Sequence, residues 1–134
     1  VGNINLSNKK EISMSYNFYL FLHISGLILM VSALFGAIVY GHATEVLSIK
    51  WRKAFGMMHG IGLMIMFIAG FGLLARLQLP FPFPGWVWVK IVLWFIIAFL
   101  ISLAFKAKLP SRQLWIIALA VLILSAGLAV FKPF

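Results

Sequence analysis

Three histidines, His23, His42 and His59, are the side chains of this sequence best suited to chemistry in an apolar setting, each lying in or beside a long run without charge. A neutral imidazole ligates a metal, exchanges a proton or hydrogen-bonds a carbonyl. His59 has the most unusual surroundings. It is the only ionisable side chain between Ala54 and Ala75, and glycines recur around it. At about 100° per residue, His59, Gly62, Met66 and Gly70 share one helix face, with Gly56 close by and Arg52 two turns nearer the helix start. Such a face is a groove, since missing side-chain volume lets a helix or a flat ligand approach the backbone. Gly56, Gly60, Gly62 and Gly70 are therefore expected to pack helices. His59 is either a ligand or a packing histidine in a glycine-faced interface, and the cost of an ionisable group within a membrane sets the two readings level.

Other chemistries have less support. Without cysteine there is no disulfide, thiolate metal site or thiol nucleophile. The two acids, Glu11 and Glu45, fall outside the predicted spans, so neither hydrolysis nor carboxylate-based proton transport has its acid, and no catalytic residue is assigned. A tetrapyrrole fits better, because imidazole is an axial ligand of haem iron and helical bundles build cofactor sites in their cores. Two geometries are open for a b-type haem. In one, His42 and His59 share the iron, with Arg52 or Lys53 on the propionates; this needs the first helix to run on to a turn near residue 50, which would set both about 12 Å from that turn. In the other, His23 or His59 acts alone, with the sixth position open or filled by a non-histidine group. His23 and His59 do not share one iron in this hairpin, since they differ by roughly 16 Å in depth.

The elements that must hold these residues are four apolar helices. A chain of 134 residues with 64% apolar residues, 10% charged residues and a mean hydropathy of +1.12 lies outside the range of soluble domains. Spans are predicted over about 16–40, 54–76, 86–105 and 114–131, after a polar tail at 1–13, giving an all-α integral membrane bundle of four antiparallel helices, up-down-up-down. Met14 is expected to be the native first residue, an expectation that recovery of Val1 from the native protein would refute. Between the second and third spans, LQLPFPFPGWVW is too rich in proline for a helix, and its aromatics suit the membrane interface. Pro110 ends the next connection, and Ser111 is the expected cap of the fourth helix.

The net charge of +9 is spread over helix ends rather than gathered into a nucleic-acid-binding patch, so it faces anionic lipid. Lys50, Arg52, Lys53, Lys106, Lys108 and Arg112 mark one side, against Lys9, Lys10, Arg76 and Lys132 on the other. That bias predicts both termini outside, in a bacterial inner membrane. Lys90, one turn inside the third span, either snorkels to the head groups or serves a ligand.

Leu22, His23 and Ile24 early in the first helix, a basic start to the second, and WVWVK placing Lys90 early in the third give a pattern over most of residues 16 to 108. It resembles the superfamily containing the haem-linked bacterial protoporphyrinogen oxidase, the copper-resistance D proteins and the SirB-like proteins. The resemblance implies a His23–Lys90 functional pair on the outer side, with His23 as a haem ligand. The second helix lacks the charged cluster of the oxidase-like pattern, so enzymatic activity is not carried over.

Together these observations predict a membrane protein that binds haem b or a related tetrapyrrole for redox or cofactor-handling work, through His59, His23 and His42 with Arg52 and Lys90. The competing expectation is a cofactor-free accessory subunit, packed by the glycine face of its second helix against other subunits of a respiratory or photosynthetic membrane complex.

Overall fold

The computed structural model describes residues 6–43, 49–106 and 108–134. They form four helices, α1 (Leu6–Ala43), α2 (Ile49–Arg76), α3 (Gly85–Lys106) and α4 (Ser111–Phe131), with no strand among the described residues. Each helix is long and apolar enough to cross a bilayer. The chain is a multi-pass membrane protein with the expected all-α four-helix architecture. Side chains such as Phe21, Ile28, Ile68, Phe99 and Leu124 point away from the bundle, where lipid tails rather than water are their solvent.

Helix ends differ from the expected spans. α1 begins at Leu6, ahead of the span expected from Tyr16, so residues 6–13 of the expected polar tail are exposed helical turns. These residues contain no glycine or proline, and adding turns to a helix already nucleated by an apolar span is inexpensive. The 38 residues of α1 extend about 57 Å, well beyond the roughly 30 Å of hydrocarbon in a bilayer. α2 starts at Ile49, which puts Lys50, Arg52 and Lys53 on its first turns. The expectation that the first helix continues toward residue 50 concerns residues 44–48, outside the described ones. Ser111 does not cap α4: the cap position is Pro110, with extended backbone (ψ 143°) and no side-chain cap bond. The Pro110 carbonyl instead accepts the Gln113 and Leu114 N–H groups at 3.0 and 3.2 Å.

The packing is uneven along the bundle. α1 contacts the other three helices, whereas α2 and α4 lie on opposite sides and do not meet among the described residues. The buried cluster of Leu34, Ala37, Ile38, Leu100, Ile101, Ala104, Leu114 and Ala118 occupies the half nearest the α1–α2 and α3–α4 connections, here termed the basic end. Phe35 and Trp115 stack there with centroids 4.1 Å apart. In the opposite half, the terminal end, Ala69, Trp86 and Val87 are the buried apolar side chains. The four helices part there around a cleft.

Candidate functional site

The two histidines with described side chains owe their positions to one close helix crossing. Gly26 of α1 and Gly62 of α2 meet backbone to backbone: a Cβ on Gly26 would lie 2.7 Å from the Met66 nitrogen and 2.8 Å from the Gly62 carbonyl oxygen. A Cβ on Gly62 would lie 2.6 Å from the Met30 nitrogen and 2.7 Å from the Gly26 oxygen. Only glycine fits at either place, and with no hydrophobic drive between helices in lipid such contact is what pairs them. One turn before each glycine a histidine reaches across. His23 Nδ1–H donates to the Met66 carbonyl at 2.7 Å, and His59 Nδ1–H donates to the Met30 carbonyl at 3.2 Å. With Nδ1 committed as a donor, the lone pair of either neutral ring resides on Nε2.

The surroundings of the two rings then diverge. His23 is half-buried, rests over Gly70 at van der Waals distance, and lines the terminal-end cleft, a space of about 700 Å³ walled by all four helices. Ligand pockets fall between roughly 300 and 1,000 Å³. Its wall is apolar and aromatic apart from Tyr16, His23, Lys90, Ser125 and Lys132, and contains no acid. Lys90 sits within electrostatic reach of His23. Met30, Ile97 and Val121 form the floor, where the packed half begins. Trp94 Nε1–H donates to the Leu63 carbonyl at 3.3 Å, and the Trp94 ring packs on Phe67 with centroids 4.6 Å apart, fixing α3 against α2 along one wall. Such a cleft suits an amphiphile with a flat apolar body, an anionic group and a metal or proton to share with an imidazole.

His59 has no such space. It is 2% exposed and does not line the cleft, and among the described residues its buried Nε2 makes no hydrogen bond of good geometry, although the Ile97 carbonyl of α3 lies beside the ring.

The shared His42–His59 site is not built. The contacts of Gly26 with Gly62 and of Gly36 with Phe55 set the register of the α1–α2 hairpin, and they place Met30, not His42, level with His59. His42 is 12 residues further along α1, about 18 Å from that level; its side chain lies outside the described residues. The expectation assumed a turn near residue 50, whereas the Gly26–Gly62 and Gly36–Phe55 contacts set a different register between the two helices. Arg52 is exposed at the basic end, with its guanidinium carbon 5.3 Å from the centroid of the Phe105 ring, and does not reach the cleft. Among the expected packing glycines, Gly62 touches α1, Gly70 lies under His23, and Gly56 faces the Phe105 ring at 3.7 Å. Gly60 has nothing within 4 Å of its would-be Cβ and packs against no helix.

The sequence places Gly26 near the His23 face of the first helix but does not mark it as a packing glycine, and sequence reasoning missed Gly36 and Gly72, whose would-be Cβ meets the Tyr19 ring. A signal for them was present: His, Gly, Leu and Met recur at 23, 26, 27, 30 and at 59, 62, 63, 66. Comparison of the chain with protein-family models, curated proteins and solved structures finds no match.

Proposed function

We propose that the terminal-end cleft holds a b-type haem or a related tetrapyrrole, with His23 Nε2 as the nitrogen that would hold its metal and the Lys90 ammonium as the partner of a propionate. The observation that carries this reading is the His23 ring itself, pinned by the Met66 carbonyl so that its lone-pair nitrogen remains available in a cleft that also contains Lys90. A hydrogen bond on the far nitrogen is what orients a ligating histidine and raises its basicity. The fit is good on three counts: Gly70 leaves a flat bed for the ring, the volume is adequate, and the wall carries cations but no acid. Among the described residues no second histidine lines the cleft, which supports His23 as the single histidine ligand in this reading.

When bound, such a group supplies one-electron redox chemistry or is itself the cargo handled. The chain contributes orientation through Met66, charge neutralisation through Lys90 and exclusion of water by the aromatic walls. In this reading the chain lies in a bacterial inner membrane with its termini outside, which the loop charge supports, and the cleft opens to that side. Exposed apolar side chains on all four helices are what lipid contact alone requires, and no observation favours the accessory-subunit reading.

The test is an absorption spectrum of the detergent-purified chain, oxidised and dithionite-reduced, with His23→Ala and His59→Ala alongside. A Soret band with sharp reduced α and β bands, lost in His23→Ala and kept in His59→Ala, is expected. A flat spectrum from folded wild-type protein, after haemin has been offered, would overturn the assignment.

A further inference from the structure

The two histidines occupy equivalent positions in a repeated unit. Shifting the sequence by 36 residues aligns His23–Gly36 with His59–Gly72, and seven of the fourteen aligned positions are identical, in the pattern H-x-x-G-L-x-x-M-x-x-A-x-F-G. The contacts obey the same relation. Gly26 meets the Met66 nitrogen and Gly62 oxygen, while Gly62 meets the Met30 nitrogen and Gly26 oxygen. His23 bonds the Met66 carbonyl, while His59 bonds the Met30 carbonyl. Tyr19 covers Gly72, while Phe55, its counterpart, covers Gly36. Ala33 and Ala69 are both buried, at 0% and 1% exposure. An antiparallel pair with these reciprocal contacts has a dyad through the Gly26–Gly62 crossing, in the manner of inverted-topology repeats.

One exchange falls beside the imidazoles. Gly70, on which the His23 ring rests, corresponds to Leu34, a fully buried side chain of the packed core. Leaving a buried nitrogen without a well-aligned partner is unfavourable, and among the described residues His59 Nε2 is such a nitrogen, with only the Ile97 carbonyl of α3 beside the ring. A histidine needed only for its Nδ1 bond gains nothing from that second nitrogen. We propose that His59 is a second imidazole site, equivalent by the dyad to His23, and that Leu34 closes it where Gly70 leaves His23 open; the identity of the residue at 34 and 70 decides which half of the bundle presents a lone-pair nitrogen to a ligand. This deepens the cleft assignment by naming its determinant, and it rests on that assignment only for the chemistry of the ligand.

Exchange of each imidazole Cε1–H for deuterium, read by mass spectrometry, reports water access to the two rings without any cofactor. In the wild type, His23 is expected to exchange about tenfold faster than His59. Gly70→Leu should slow His23 and leave His59 unchanged. Leu34→Gly should speed His59, and the double exchange Gly70→Leu with Leu34→Gly, which conserves total side-chain volume, should invert the ratio. Leu34→Ala serves as the milder variant if Leu34→Gly loses helicity. Protection of His59 persisting in helical Leu34→Gly or Leu34→Ala protein would overturn the proposal, as would equal exchange of the two rings in the wild type. Haemin titration run in parallel separates the two assignments: inverted exchange with no Soret band sinks the tetrapyrrole and leaves the dyad-related site standing, while a Soret band dependent on His23 without inversion does the reverse.

Discussion

At the scale of single residues, the cleft divides its labour between a donor held from behind and a cation held at the side. If Lys90 pairs with a carboxylate of the ligand, Lys90→Met should weaken haemin binding about tenfold, the worth of roughly one charge-assisted hydrogen bond. Lys90→Arg should keep most of the affinity. An ammonium that only snorkels to the head groups would leave both titrations unchanged. His59 presents the opposite case. Its Nδ1 bond to Met30 is worth about 0.6 kcal/mol in a membrane interior, and its Nε2, which makes no well-aligned hydrogen bond among the described residues, works against it. His59→Met, which removes both, is therefore expected to change the unfolding free energy in mixed detergent micelles by no more than about 1 kcal/mol. A loss of several kcal/mol would show that the Met30 bond is a principal clamp of the crossing. The sequence made the histidines candidates through their rarity and their apolar surroundings, but not the direction of their rings. That depends on which carbonyl of the neighbouring helix each one meets, and no property of His23 or His59 alone encodes it.

At the scale of elements, the α1–α2 pair is held by backbone contact, and α3 and α4 by side chains. The two classes of glycine in α2 should respond in opposite directions. Gly62→Ala inserts a methyl 2.6 Å from the Met30 nitrogen, so it should cost about 1–3 kcal/mol or more in detergent unfolding. Gly60→Ala meets no atom within 4 Å and should stabilise by up to about 1 kcal/mol through helix propensity. Equal responses would mean that the crossing yields more than a well-packed core does. Hydropathy was enough to locate all four helices, and helical periodicity put Gly62 and Gly70 on the face of His59. The same periodicity set Gly56 close by, and Gly60 was expected to pack with them from residue type alone, because neither signal contains information about where the partner helix crosses. The depth error at His42 has the same origin: the turn was placed from loop composition, whereas the register comes from Gly26 and Gly62 in the membrane.

At the scale of the whole molecule, the packed half and the parted half give the bundle a direction. The chain has no cysteine, so one introduced thiol reports alone. Ser125 lines the cleft, and Ser125→Cys should react with a membrane-impermeant maleimide added to the side that carries Lys132, with haemin slowing the reaction. Labelling from the opposite side alone would place the mouth of the cleft at the basic end. The hairpin beneath that direction has none of its own. Turned end over end, α1 and α2 exchange places, and His23, Gly26 and Met30 overlay His59, Gly62 and Met66. A unit that pairs with its own reverse is equally at home whichever leaflet it enters first. The motif therefore carries no instruction to the insertion machinery, and the orientation of the protein is decided by what flanks it: the lysines and arginines on the short connections, and the α3–α4 pair that closes one end and leaves the other open.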